Sequence, residues 1–216
     1  MSKIKVLLAE DHIIVRKGLR SLLDREADIE VVGEADNGQQ AVEKAQLLQP
    51  DIVLMDITMP VLNGLEATRQ IKELRLPIKV VVLTVHSTPE YAYQILRAGG
   101  SAYVLKQAAV SELIGAIRAV YQGGSFLSPS ISRHAVDEYG RQATATEDRY
   151  DKLTAREREV LQMVAEGRTN REIANIMHVT VKTVEAHRAS LMNKLDLHSI
   201  AELTKYALRK GIANSE

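Results

Sequence analysis

Over the first 121 residues the apolar positions alternate between two patterns. Short unbroken runs, such as Val6-Leu7-Leu8-Ala9 and Ile52-Val53-Leu54-Met55, are each followed by a stretch in which apolar residues return every three or four positions. Unbroken runs fit strands buried on both faces, and the three-to-four spacing fits amphipathic helices. The pattern predicts strands at 3–9, 29–35, 52–55, 78–83 and 101–105. Between and after them it predicts helices, the first carrying Ile13, Ile14, Leu19, Leu22 and Leu23 at helical spacing, the others over 39–48, 64–75, 90–98 and 111–121. Five strand–helix repeats predict an α/β doubly wound, five-stranded parallel sheet of the flavodoxin-like kind.

The alternation stops after Tyr121-Gln122. Gly123-Gly124-Ser125, Ser128-Pro129-Ser130 and Ala143-Thr144-Ala145-Thr146 lie in a polar stretch without sustained period, which reads as a linker with a short helical piece near 131–139. Beyond it the period is helical throughout. Thr154-x-x-Glu157, Thr169-x-x-Glu172 and Ser199-x-x-Glu202 have the spacing of capping boxes, and Thr180 can cap a further helix. A short helix ending near Met177, a turn at His178-Val179 and a longer helix from Val181 to about Leu195 predict a helix-turn-helix within a small all-α, four-helix domain. The assignment is therefore a first domain at 1–122, a linker at 123–148 and a second domain at 149–216.

Composition narrows the classes without choosing among them. With 45% apolar and 26% charged residues the chain is an ordinary globular sequence. It has no cysteine, which excludes disulfides, thiolate metal sites and cysteine nucleophiles, so any metal is held by oxygen or histidine. Glu10-Asp11 cuts off the one N-terminal apolar run, so a cytoplasmic protein without a membrane segment is expected. Net charge is zero, and residues 151–216 carry 11 Lys+Arg against 9 Asp+Glu. That slight excess permits nucleic-acid binding without demanding it.

The chemistry collects where the strands end. Glu10-Asp11 follows the first strand, Asp56 the third, Thr84 the fourth and Lys106 the fifth. In an open parallel sheet ligands bind at the carboxyl ends of the strands, and a 2-1-3-4-5 order would bring Asp11 and Asp56 face to face at the switch point. Three carboxylates within reach of one another repel unless a cation joins them, and Mg2+, a hard ion completed by a phosphate, suits oxygen ligands. A carboxylate beside such an ion can act as a nucleophile toward phosphorus, with a lysine and a hydroxyl to neutralise the phosphoryl oxygens. His86, two residues past Thr84, can line the mouth of this pocket.

Glu10-Asp11, Asp56-x-x-Met59-Pro60 with Gly64, Thr84, and Tyr103-x-x-Lys106 together resemble the receiver domain of two-component response regulators over residues 3–121. The resemblance implies that Asp56 accepts the phosphoryl group and that Glu10, Asp11, Asp56 and the Thr58 carbonyl surround Mg2+. Thr84, Tyr103 and Lys106 would bind the phosphoryl group and form the switch. Leu153-Thr154-x-Arg156-Glu157, Gly167-x-Thr169-Asn170-x-Glu172-Ile173-Ala174 and Lys182-Thr183-Val184-x-x-His187 resemble the LuxR-type helix-turn-helix over 149–213, so nearly the whole chain is similar to the NarL/FixJ class.

In the longer helix Val184, Leu191 and Leu195 form a packing stripe, and Lys182, Glu185, Ala186, Ala189 and Asn193 lie largely opposite. A face of small residues among hydrogen-bonding ones can approach base edges in a major groove. Thr169, Asn170 and Thr183, near helix amino ends, are candidates for the DNA backbone. His187 and Arg188 flank the stripe: Arg188 either reaches a phosphate or pairs with a carboxylate, and burial competes with a phosphate contact for His187. On the last helix, part of the stripe Ile200, Leu203, Ala207 and Leu208 would cover the domain and part would meet a second copy.

The implied partners are a sensor histidine kinase, double-stranded promoter DNA, a second copy upon phosphorylation and, in that role, RNA polymerase. Two rival readings stand beside this one. A phosphohydrolase of the haloacid dehalogenase type would need a second acid two residues past its nucleophile, where Thr58 stands. A receiver used only for protein interaction would have a degenerate reader.

Overall fold

The computed structural model describes residues 3–87, 89–129, 131 and 149–213, which form two compact units, one built on a sheet and one of helices. In the first unit the elements run β1 (Ile4–Ala9), α1 (Ile13–Leu23), β2 (Ile29–Ala35), α2 (Gly38–Leu48), β3 (Ile52–Asp56), α3 (Gly64–Glu73), β4 (Lys79–Thr84), α4 (Pro89–Arg97), β5 (Ala102–Leu105), α5 (Val110–Tyr121) and β6 (Phe126–Leu127). All strand pairs are parallel, in the order β2-β1-β3-β4-β5-β6. The predicted 2-1-3-4-5 order is present, so β1 and β3 lie side by side with Ala9 paired to Met55. Strand residues buried on both faces account for the unbroken apolar runs: Ile52, Val53, Leu54 and Met55 are all buried.

Three local differences from the sequence expectation have physical causes. Asp56 is the last residue of β3 rather than the first beyond it, paired with Leu83 of β4, so its backbone is fixed by the sheet. Ile13 and Ile14 stand 59% and 86% exposed in the first turn of α1, and the inward stripe begins only at Leu19 and Leu23. Phe126-Leu127, assigned to the linker, adds a sixth strand to the free edge of β5. Ser128 secures it: its N–H donates to the Tyr103 carbonyl at 3.0 Å, and its buried hydroxyl accepts from Leu105 N–H at 3.2 Å while donating to Glu112. A two-residue strand has too little pattern to be read from sequence. The helical piece near 131–139 lies, past Ile131, outside the described residues.

The second unit holds a 3-10 turn (Arg149–Lys152), α6 (Ala155–Ala165), α7 (Asn170–Met177), α8 (Val181–Leu195) and α9 (Ile200–Arg209). Leu161, Val164, Ile173, Val184, Leu191, Leu195, Leu203 and Ala207 form its core. Thr154 and Thr169 close complete capping boxes with Glu157 and Glu172, and Thr180 caps α8. The third box does not close: Ser199 accepts from Glu202 N–H at 3.2 Å, but Glu202 Oε2 accepts from His198 N–H rather than from Ser199.

The connections are short because each helix stops on a left-handed residue, with φ of 77° at Gly167, 54° at His178, 59° at Asp196 and 62° at Gly211. Each stop is closed by a bond reaching five residues back, such as Val179 N–H to the Ala174 carbonyl at 3.0 Å. That closure, followed at once by the Thr180 cap, makes the tight turn between α7 and α8.

Candidate functional site

The loop after β3 explains how Asp56 is presented. Gly64 N–H donates to the Ile57 carbonyl at 2.7 Å, and a Cβ on Gly64 would stand 1.9 Å from the Asp56 carbonyl oxygen. Only glycine permits this approach of α3 to the end of β3. Between them Val61 has φ of 70°, with Leu62 N–H bonded to the Pro60 carbonyl at 2.8 Å, a three-residue γ-turn. A β-branched residue there costs of order 1–3 kcal/mol. Buried Asn63 then caps α3, its Oδ1 accepting from Glu66 N–H at 2.9 Å.

Asp56 is buried, and its Oδ2 accepts from Lys106 Nζ at 2.8 Å; the same ammonium lies 2.8 Å from Glu10 Oε2. Burial, with the added repulsion of Glu10 and Asp11, pushes the Asp56 carboxyl up to about 6 despite the pull of Lys106. Burial would lower Lys106, but the Asp56 charge and hydrogen bond, with the nearby Glu10 charge, hold its ammonium above the ordinary range. His12, unforeseen as a pocket residue, brings Nδ1 within 2.9 Å of Asp11 and 3.1 Å of Glu10, and those acids raise it. Its place next to Glu10-Asp11 was the available signal. Arg16, also unforeseen, donates from Nη1 to the Glu10 carbonyl at 2.5 Å and pairs with Glu34.

Ligand atoms of Glu10, Asp11, His12 and Asp56 lie within 4.8 Å of one another. Glu10 Oε2 and Asp11 Oδ1 are buried with no hydrogen bond, since Lys106 and His12 lie near them but off the required line. Converging buried oxygens with spare lone pairs fit a hard divalent cation.

Thr84 is fully buried at the end of β4, its hydroxyl accepting from His86 N–H at 3.1 Å. Tyr103, wholly buried on β5, donates from its phenol to the His86 carbonyl at 2.9 Å, and burial pushes that phenol up. His86 therefore holds both residues by its backbone. Its ring stacks on Tyr91 at 4.5 Å, with Nε2 3.5 Å from the Thr58 hydroxyl. Thr58 thus turns its side chain toward the His86 ring.

On α8 the expected division holds: Val184, Leu191 and Leu195 are buried, and Lys182, Glu185, Ala186, Ala189 and Asn193 are exposed. His187 is half-buried. Arg188 pairs with no carboxylate among the described residues and donates instead to Asn170 Oδ1 of α7 at 3.3 Å, so it ties together the two helices of the turn. Asn170 and the cap residues Thr169 and Thr183 are already used within the fold.

Beneath α8 lies a group the sequence reading gave only a capping role. Glu157 is buried and accepts from Thr154 N–H at 2.7 Å, Ser190 Oγ at 2.6 Å and Lys194 Nζ at 2.7 Å. Burial alone would raise it, but these bonds, led by Lys194, hold the carboxyl down at about 2. Among the described residues no helix is long and apolar enough to cross a membrane.

Two family descriptions match, the response regulator receiver domain over residues 6–118 and the bacterial regulatory proteins of the luxR family over residues 151–207. The oxygen regulatory protein NreC of Staphylococcus carnosus (strain TM300) is 40% identical over 213 residues, which cover 96% of this chain and 98% of that protein. A LuxR-family two-component response regulator from Aurantimonas sp. SI85-9A1 superposes with a TM-score of 0.62 at 35% identity, covering 64% of this chain and 99% of the other. The complex of the response regulator RcsB with DNA gives 0.59 at 28% identity, covering 95% and 98%.

Proposed function

This chain belongs to the response regulators that join a receiver domain to a LuxR-type DNA-binding domain, and from that premise we propose that Asp56 takes a phosphoryl group from a sensor histidine kinase in the cytoplasm. An Asp56 carboxylate oxygen forms the new bond to phosphorus as the bond to the donor imidazole nitrogen breaks, and the imidazole keeps that electron pair. The observation that carries the reading is the buried Asp56 at the end of β3, with Lys106 Nζ 2.8 Å away and unsatisfied oxygens of Glu10 and Asp11 beside it.

Glu10, Asp11, Asp56 and the Thr58 carbonyl would hold Mg2+, which when bound offsets charge on the phosphoryl oxygens. Lys106 stays against the product oxygens. The added charge, ~1.5 to 2 negative, draws the Thr84 hydroxyl from His86 N–H and biases the arrangement Tyr103 shares with His86. Phosphorylation then favours a dimer, and two joined readers gain affinity for paired half-sites through effective concentration. Lys182, Glu185, Ala186, His187 and Ala189 would face promoter DNA. Thr169, Asn170, Thr183 and Arg188 would support them or reach phosphates, and RNA polymerase would be engaged from that site.

Thr58, two residues past Asp56, supports a regulator over a phosphohydrolase that needs an acid there. Incubation with Mg2+ and acetyl phosphate is expected to raise the intact mass by one phosphoryl group, to raise the light-scattering mass to a dimer and to tighten DNA binding. Labelling of Asp56→Asn, or labelling in excess chelator, would overturn the pocket assignment. An unchanged solution mass and unchanged affinity at full phosphorylation would overturn the output.

A further inference from the structure

We propose that the Glu185 carboxylate reads a base, accepting a hydrogen bond from the N4 amino group of one cytosine in each half-site. This rests on the reading of α8 as the helix that enters the major groove. Glu185 is the single acid on α8 and stands in its second turn, on the exposed face between Lys182 and Ala186. The amino-terminal part of a recognition helix is the part that meets base edges.

A role within the fold is the competing explanation for such an acid, and the geometry argues against it. Arg188, the cation one turn on, is committed to Asn170 Oδ1 at 3.3 Å, and Glu185 has no hydrogen bond or ion pair among the described residues. Lys182, one turn back, is exposed and makes no ion pair with it. Among the described residues nothing engages the carboxylate, which leaves it available to what approaches this face.

What approaches is DNA, whose phosphates repel a carboxylate. With 11 Lys+Arg against 9 Asp+Glu over residues 151–216, the reading unit has only a slight excess of cations to offset that repulsion. A specific donor can offset it. Two bases present amino donors in the major groove, but adenine sets N7, an acceptor, beside N6 on the same edge, whereas cytosine presents N4 alone. A group that only accepts therefore fits cytosine. The flanking Ala186 and Ala189 end in methyl groups, so they let the helix come close and offer no competing hydrogen bond.

The test is selection of binding sites from a random duplex library by the full-length protein treated with Mg2+ and acetyl phosphate, beside Glu185→Ala and Glu185→Gln. Glu185 is exposed, so neither substitution disturbs the core. The wild type is expected to give a motif with one cytosine per half-site preferred by about tenfold or more, the discrimination of a good base contact. Glu185→Ala should lose the preference in that column and keep the others. Glu185→Gln should move the column toward adenine, since an amide can pair with both N6 and N7.

A Glu185→Ala motif identical to wild type in every column, with affinity raised equally for all sequences, would mean that Glu185 only repels phosphate and would overturn the proposal. Enrichment of no motif by the wild type would instead remove the DNA-reading role of α8, and this proposal with it.

Discussion

Replacing Glu157 tests whether the reading helix depends on a buried charge. A carboxyl held at about 2 instead of its ordinary 4.5 contributes about 3 kcal/mol at neutral pH, at ~1.4 kcal/mol for each tenfold. Lys194, whose side chain is 34% exposed, is partly screened, which trims the figure to roughly 2–3 kcal/mol. Glu157→Ala also removes the acceptor for Thr154 N–H and leaves Ser190 without its partner. Thr154→Ala, by contrast, removes one cap bond and should cost ~1 kcal/mol.

Hydrogen exchange of the intact protein reads this segment by segment, which a single melting curve of a two-unit chain does not. Amides of α6 and α8 should exchange ~30- to 150-fold faster in Glu157→Ala, and ~5-fold faster in Thr154→Ala. The pH dependence has a fixed sign. A group lowered on folding stabilises fully above its unfolded value, so protection should hold above about 4.5 and decay as pH falls toward about 2. Glu157→Gln should lack that acid step. Equal effects of Glu157→Ala and Thr154→Ala, or an acid step that persists in Glu157→Gln, would refute the reasoning.

Gly64→Ala places a methyl group 1.9 Å from the Asp56 carbonyl oxygen and must displace the end of β3. A loss of ~1–3 kcal/mol with slowed acetyl phosphate labelling is expected from thermal unfolding and mass kinetics. Gly115→Ala, where a Cβ meets nothing within 4 Å in the middle of α5, should stabilise by roughly 1 kcal/mol in the same unfolding assay. Ser128→Ala strips Leu105 N–H and Glu112 of their buried partner, and hydrogen exchange should show β6 and the end of β5 opening more often, by ~1–3 kcal/mol. Unchanged exchange there would mean that the strand pairing alone holds the edge.

The features of this protein that repeat locally are legible along the chain. The alternation of unbroken and helical apolar runs gave the element order, and the acids and Lys106 fall at strand ends whatever partners they find. The caps at Thr154, Thr169 and Thr180 follow from bonds between residues three apart, and the Val184-Leu191-Leu195 stripe follows from helical period. Tertiary structure decided which long-range partner each polar group takes. Lys106 reaches across 50 positions to Asp56, Glu157 across 37 to Lys194, and Arg188 chooses the amide of Asn170 over any carboxylate. The elevated Asp56 carboxyl and the depressed Glu157 carboxyl follow from the burial and neighbours so assembled. Exposure of Ile13 and Ile14, and the short strand β6 on the edge of β5, depend likewise on what the rest of the fold leaves uncovered. Propensity and period act between near neighbours, whereas the partner and dielectric of a buried charge are set by elements far apart in the chain.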